Sequence, residues 1–145
     1  MFKHILLPTD GSPASERAVL ATMSFAKESG AKVTALHVVP EFHVFTYRSE
    51  MIEDTPEQYA IDSAAHAKKL LAFVQKAAEE EGVQCDTMQM ESDHPYEAII
   101  EAARDRLCDL IAMASHGRKG IQGVLLGSET QKVLTHSQIP VLVFR

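Results

Sequence analysis

The chain has 145 residues, 46% of them hydrophobic, enough for one core that buries roughly two thirds of the unfolded surface. Fourteen Lys and Arg against twenty Asp and Glu give a formal charge of −6 without a basic run. Nucleic acid and anionic membranes are therefore not expected as partners. The longest apolar run is too short to span a membrane, so we expect one globular domain over residues 1–145.

Five apolar segments have the length and composition of β-strands: 4–7, 33–39, 83–90, 110–113 and 140–144. The fourth is an uninterrupted apolar run, which is typical of a buried strand. The third carries polar residues on both faces, which favours an edge of the sheet over its centre.

Helices are predicted between the strands, over 12–29, 55–82, from 95 onward and over 128–136. Ser12 is a candidate N-cap followed by proline, Thr55 begins a capping-box pattern, and Gly30 is placed to end the first helix. The inward face of the first helix is predicted to carry three residues at helical spacing: Ala18, Ala21 and Phe25. The inward face of the third is predicted to carry Ile99, Ala102 and Ala103.

The connection over 40–55 is too apolar for a plain solvated loop, because it contains several large apolar side chains: Phe42, Val44, Phe45, Tyr47, Met51 and Ile52. We expect another part of the protein to cover them. Alternating strands and helices predict an α/β fold with parallel strands, right-handed crossovers and helices on both faces. Ligands of such folds bind at the carboxyl ends of the strands, where the winding direction reverses.

The stretch LIAMASHGRKGIQGVLLGS, residues 110–128, gives the main functional signal. It is interpreted as a buried strand, a glycine-bearing loop and the start of a helix. Backbone N–H groups at a helix start lack intrahelical partners and the helix dipole favours negative charge there, so the pattern suits a phosphate chain. Glycines after a strand also occur as simple turn residues, and spacing alone leaves that alternative open.

The chain resembles the universal stress protein family from its first strand to its last. The ATP-binding branch of that family carries G-x-x-G, nine residues, then G-[ST]. Here Ala114-Ser115-His116-Gly117 is followed by nine residues and then Gly127-Ser128, so alanine replaces the first glycine. The resemblance implies a single-domain, doubly wound, five-stranded parallel sheet of the Rossmann-like type, with strand order 3-2-1-4-5. It places the ligand crevice between strands one and four.

The residues assigned to nucleotide binding come from the ends of strands one, two and four and from the start of the last helix: Pro8, Thr9, Asp10, Val38, Met113, Ala114, His116, Gly117, Arg118, Gly127, Ser128, Glu129 and Thr130. The resemblance implies that Asp10 faces the nucleotide and that backbone groups at Val38 contact adenine. Asp10 could instead form only an Asx-turn, and Ser128 could be a simple N-cap.

The basic residues Arg118 and Lys119 could reach the outer phosphates or remain solvated. His116 could contact the phosphate chain or lie beneath the loop. If the first position of the motif needs positive φ, Ala114 costs roughly 1–2 kcal/mol, about tenfold in affinity. If that position needs only a small side chain, alanine fits.

The leading hypothesis is a stress-response regulator that binds ATP, or else ADP or AMP, with or without Mg²⁺. The alternatives are a slow ATPase or phosphotransfer enzyme, and a family member that binds no nucleotide and acts through protein contacts. No catalytic set, P-loop or direct metal-ligand spacing is found. The start MFKHILLP lacks the pattern of a signal peptide, and Cys85 and Cys108 are expected as free thiols in a cytoplasmic protein.

An edge strand at 141–144 predicts assembly. Its unpaired backbone groups could join a second copy about a two-fold axis, and the resemblance implies that homodimer. The alternative is an edge kept monomeric by its shortness and by the charge of Arg145.

Overall fold

A computed structural model describes residues 1–43, 55–117 and 125–145 of the chain. The elements follow one another as β1 (His4–Pro8), α1 (Pro13–Ser29), β2 (Lys32–Val39), α2 (Pro56–Glu81), β3 (Cys85–Glu91), α3 (Pro95–Asp105), β4 (Leu110–Ala114), α4 (Ser128–His136) and β5 (Val141–Phe144). All strand pairs are parallel and the sheet order is β3-β2-β1-β4-β5. The predicted fold class and strand order are confirmed.

The helix signals of the sequence are visible at the ends of α1 and α2. The Ser12 hydroxyl accepts a hydrogen bond from Ser15 N, and the Thr55 hydroxyl accepts one from Gln58 N, each at 3.1 Å. Gly30 and Gly82 end the two helices at φ +70° and +71°, a left-handed conformation that glycine adopts without a Cβ penalty.

The end of α3 is formed differently, because no glycine is available there. Leu107 takes the left-handed conformation at φ +58° with its side chain 84% exposed. The backbone N–H of Cys108 donates to the carbonyl of Ala103 at 2.8 Å, and that of Leu107 donates to Arg104 O at 3.1 Å. Both bonds satisfy carbonyl groups at the helix end.

Two apolar layers cover the two faces of the sheet. One layer joins buried residues of α1 and α2 to the sheet, and the other joins α3 and α4 to it. The predicted inward residues Ile99, Ala102 and Ala103 are buried. The buried face of α1 was predicted only in part, because Ala18 is buried but Ala21 and Phe25 are half-buried.

The buried face of α1 shares Ala18 with the predicted stripe and is otherwise turned toward neighbouring positions: Ser15, Ala18, Val19, Thr22, Met23 and Ala26. The two outer strands are less covered than the three inner ones. In β3 exposed and half-buried residues alternate from Thr87 onward, and in β5 every residue is half-buried. The predicted edge position of β3 is confirmed.

The apolar connection after β2 is described only at its beginning. The ring of Phe42 contacts that of Tyr59 with centroids 5.3 Å apart, so α2 covers this side chain as expected. The other apolar residues of the predicted connection, within 44–54, lie outside the described residues. No helix in the described ranges has the length and apolar character needed to cross a membrane.

Candidate functional site

A cavity of about 770 Å³ opens at the carboxyl ends of β1, β2 and β4. Every residue assigned to the site from the sequence lines it, except one: Pro8, Thr9, Asp10, Val38, Met113, Ala114, His116, Gly117, Gly127, Ser128, Glu129 and Thr130. The exception, Arg118, lies outside the described residues, as does Lys119. The crevice where the winding direction of the sheet reverses and the glycine-bearing loop therefore belong to one cavity.

The first turn of α4 forms one wall of this cavity. Its N-cap is Gly127, in an extended conformation (φ −67°, ψ 159°) and without a capping side chain. Ser128 is the first helical residue, so the alternative that Ser128 is the N-cap is wrong. Among the described residues, no hydrogen-bond acceptor contacts the backbone N–H groups of Ser128, Glu129 and Thr130. Such groups, at the positive end of the helix dipole, suit an anion.

The side chains of this turn hold neighbouring elements in place. The Thr130 hydroxyl donates to the carbonyl of Ala114 at 3.0 Å and ties α4 to the end of β4. Glu129 accepts a hydrogen bond from the backbone N–H of Tyr96 at 2.9 Å, which satisfies a donor in the first turn of α3. Glu129 and Thr130 therefore have their backbone N–H groups, not their side chains, to offer a ligand.

Gly127 lies where two backbone segments approach each other closely. Its N–H donates to Ser115 O at 2.6 Å. A Cβ added at Gly127 would lie 3.1 Å from Cα of His116, which is tighter than ordinary van der Waals contact. The missing Cβ at Gly127 therefore lets two protein segments lie close together, whether or not a ligand is bound.

Gly117 is constrained by the carboxylate of Asp10. A Cβ at Gly117 would collide with Asp10 Oδ2. The glycine therefore lets the loop after β4 approach the end of β1, and the loop and Asp10 meet at the wall of the cavity.

Asp10 is half-buried and forms the Asx-turn that was the alternative to a ligand contact. Its Oδ1 accepts from Ser12 N at 2.9 Å, and its own N–H donates to the Ser15 hydroxyl at 3.2 Å. The hydroxyls of Thr9 and Ser15 share a hydrogen bond of 2.6 Å. These bonds orient the carboxylate toward Gly117, so the turn and a contact with a ligand are compatible roles.

Ala114 does not have positive φ. It is the last residue of β4, paired with Phe144 of β5, and Leu107 is the one non-glycine residue with positive φ in the described ranges. The first of the two alternatives for this position, a strained alanine, is therefore wrong. The backbone accommodates alanine without the cost that a left-handed conformation would impose.

The backbone of Val38 faces the cavity because β2 continues beyond the end of β1. Pairing of the two strands ends at Pro8 and Leu36, and Thr9 N donates to Leu36 O at 2.9 Å. Backbone groups of alternate residues point to the same neighbouring strand. The N–H and C=O of Val38 thus point past the end of β1, where the register supplies no strand partner.

Apart from Val38, the other half of the cavity was not predicted from the sequence. This half is lined by residues from β2, the β3–α3 loop and α3. Together with three further unassigned lining residues from α1 and around the start of α4, the set is Ser15, Leu36, Pro40, Ser92, Asp93, Pro95, Ile99, Leu126 and Gln131. The signal that could have identified part of this set is the polar run Ser92-Asp93 directly after β3, at the same edge of the sheet. The apolar members have the pattern of ordinary core residues.

The titratable groups near the cavity differ in their surroundings. A hydrogen bond from His43 lowers the pKa of Asp93, so this carboxylate is ionised at neutral pH. His116 is half-buried, and its Nδ1 lies 3.0 Å from the hydroxyl of Ser115. Away from the cavity, burial raises the pKa of the Cys85 and Cys108 thiols to about 11, which keeps both protonated and unreactive at neutral pH.

Strand order and cavity position define a doubly wound α/β protein with its binding crevice at the point where the winding direction reverses. Over residues 1–145 the chain matches the model of the Universal stress protein family, and it belongs to that family. Universal stress protein MJ0531 of Methanocaldococcus jannaschii is 34% identical over 145 residues, covering 100% of this chain and 83% of the relative.

Solved structures show the same fold. The structure of MJ0577 from Methanocaldococcus jannaschii superposes with a TM-score of 0.82 at 31% identity, covering 99% of this chain and 95% of that one. A universal stress protein in complex with cAMP superposes with a TM-score of 0.73 at 25% identity, covering 99% of this chain and 97% of that one.

Proposed function

We propose that the cavity binds an adenine nucleotide, ATP in the first place, with ADP or AMP as alternatives. One observation carries the proposal: the uncapped first turn of α4 and the outward backbone edge of Val38 lie on walls of the same cavity. The first suits the phosphate chain. The second offers a donor and an acceptor to the edge of a base. A single ligand with an anionic end and a heteroaromatic end satisfies both.

A relative supports this assignment. The universal stress protein solved with cAMP shares the fold over nearly the whole chain, and cAMP combines an adenine base with a phosphate. In our proposal Asp10 accepts hydrogen bonds from the ribose, and Gly117 and Gly127 let the loop lie close to the phosphates. Mg²⁺, where present, is held mainly by the phosphate oxygens, as is usual for this ion.

The same chemistry favours a regulator over a rapid enzyme. Phosphoryl transfer needs charge clamps and a positioned nucleophile, and the described lining residues include neither Lys nor Arg. We propose that nucleotide occupancy shifts a conformational or assembly equilibrium in a cytoplasmic stress response.

The role of the uncapped first turn of α4 in ligand binding can be tested by removing a single backbone N–H group. Proline is well suited to the first helical position, and the extended Gly127 suits the residue before proline. Ser128→Pro should therefore keep α4 while removing one N–H and the hydroxyl, and Ser128→Ala removes the hydroxyl alone. Because a hydrogen bond to a charged group contributes about 1.5–3 kcal/mol, we expect the proline variant to bind ATP at least tenfold more weakly than the alanine variant in titration calorimetry.

If the folded Ser128→Pro and Ser128→Ala variants bind ATP with equal affinity, the first turn of α4 is not part of the binding site. Identifying nucleotide released from the denatured wild-type protein then separates the remaining functions. Near-stoichiometric adenine nucleotide supports a binder, and its absence together with no ATP binding supports action through protein contacts. Steady-state phosphate release at a rate above background would instead favour the slow ATPase.

We also propose a homodimer joined through β5. In β5 the carbonyl of Phe144 accepts from Ser115 N, and that of Pro140 accepts from Ile111 N, so even-numbered residues direct their backbone groups to β4. The groups of Val141 and Val143 therefore point away from the sheet. This outward row is the surface that a second copy would pair with.

Val143→Pro removes one outward N–H and leaves the hydrogen bonds to β4 in place, whereas Leu142→Pro removes a donor directed at β4. We expect the first variant to be a folded monomer by light scattering, and the second to lose stability. A monomeric wild type, or a Val143→Pro variant that remains dimeric, would contradict this interface.

A further inference from the structure

Three exposed side chains with metal-binding chemistry meet at the rim of the cavity. Glu41 and His43 follow the end of β2, and Asp93 lies in the loop between β3 and α3. One ligand atom from each lies within 4.8 Å of the other two. His43 Nε2 and Asp93 Oδ2 are 2.5 Å apart. Asp93 also lines the cavity, so the cluster belongs to both the rim and its wall.

We propose that Glu41, His43 and Asp93 form a binding site for a divalent transition-metal ion of the Zn²⁺ class. Imidazole nitrogen and carboxylate oxygen are both ordinary Zn²⁺ ligands, and three protein ligands leave a fourth position open. Mg²⁺ and Ca²⁺ favour sites made of oxygen atoms alone. The imidazole of His43 therefore decides the class of metal.

The backbone around the cluster holds the three side chains near one another. Glu41 N donates to Asp93 Oδ1 at 3.0 Å. Ser92 N donates to Val39 O at 2.9 Å, which joins the end of β2 to the loop that carries Asp93. The Tyr59 hydroxyl donates to the carbonyl of Pro40. Fixing ligands through such surrounding contacts lowers the ordering cost of metal binding.

The site requires only small movements on binding. Zn²⁺ lies about 2.0–2.2 Å from nitrogen and oxygen ligands, so His43 Nε2 and Asp93 Oδ2 must separate slightly to accept the metal in place of the proton between them. Glu41 has an exposed side chain that can turn toward the ion. Asp93 keeps its second oxygen for the N–H of Glu41, which orients the coordinating one.

Titration calorimetry of the full chain with zinc chloride tests the site without any nucleotide. We expect one strong site in the wild type. His43→Ala and Asp93→Asn should each weaken it by at least about tenfold, the lower end of what losing even an outer-shell partner costs a metal site. His94→Ala and Glu91→Gln are matched controls, because both residues are exposed and adjacent to the cluster but outside it. They should bind zinc as the wild type does.

The proposal is overturned if the wild type shows no strong site, if His43→Ala binds zinc as tightly as the wild type, or if the controls weaken binding as much as the cluster variants. Displacement of the bound zinc by Mg²⁺ at a concentration similar to that of zinc would also overturn the assigned class of metal. Far-UV circular dichroism establishes that each variant is folded.

Discussion

The two halves of the cavity are built in different ways. The loop half, consisting of Asp10, Gly117, Gly127 and Ser128, presents mainly backbone groups held by close contacts between segments. The other half, which we call the β2–β3 half, presents apolar side chains of β2 and α3 and the carboxylate of Asp93. Backbone geometry demands particular residues at fixed spacing, whereas an apolar wall accepts many. The loop half can therefore be predicted from a sequence, whereas the apolar wall of the β2–β3 half cannot.

The largest expected effect comes from Gly127→Val in the loop half. The added side chain would press against Cα of His116, and such overpacking costs about 1–3 kcal/mol of stability. We expect a lower urea midpoint and loss of ATP binding. Gly127→Ala, with fewer added atoms, should give a smaller shift in the same direction. Wild-type stability for the valine variant would mean that the two backbones do not constrain each other.

Asp10→Asn separates the two roles of that residue. The amide oxygen of Asn can still accept from Ser12 N, so the turn is kept while the negative charge is lost. We expect ATP affinity to fall by about 1–3 kcal/mol, as for loss of hydrogen bonds to a charged group, with little change in thermal midpoint. If the midpoint falls and affinity does not, Asp10 serves only the turn.

Val38→Pro addresses the β2–β3 half. The N–H of Val38 points past the end of β1, so proline removes it without removing a hydrogen bond to β3. One neutral hydrogen bond contributes about 0.5–1.5 kcal/mol, and we expect ATP affinity to decrease by that amount. Val38→Ala is the control and should bind more tightly than the proline variant. The reverse order would show that the side chain, not the backbone, contacts the ligand.

Ala114→Gly should have the smallest effect. Because Ala114 is an ordinary strand residue, glycine relieves no strain, and it lowers stability by about 0.5–1 kcal/mol through chain entropy. ATP affinity should stay near that of the wild type. A tenfold gain in affinity would instead show that the alanine side chain limits access to the cavity.

Much of the fold follows from local signals in the sequence. The caps at Ser12, Thr55, Gly30 and Gly82 mark helix ends because each satisfies a specific backbone requirement. Periodicity places the buried face of α1 less accurately, since Ala21 and Phe25 fall at its margin. Helical spacing alone does not reveal which of two neighbouring positions turns toward the sheet.

The site is predictable to the extent that backbone conformation defines it. Gly117, Gly127 and Ser128 were assigned from a motif of fixed spacing, and strand order brings Asp10 to the same cavity. Asp93 and Ile99 join this cavity only through tertiary packing, so their own segments give no comparable signal. The conformation of Ala114 was likewise undecided until its pairing with Phe144 was known.

The left-handed conformation of Leu107 at the end of α3 lowers the stability of the fold. An L-residue with a Cβ costs roughly 1 kcal/mol in that conformation, and the exposed side chain of Leu107 returns little burial in exchange. Glycine there, as at the ends of α1 and α2, would recover part of this cost. In evolutionary terms a substitution that recovers this stability permits later change, because a chain further from its unfolding threshold tolerates more substitutions elsewhere. Leu107→Gly, remote from the cavity, would thus widen the range of substitutions that the cavity can accept.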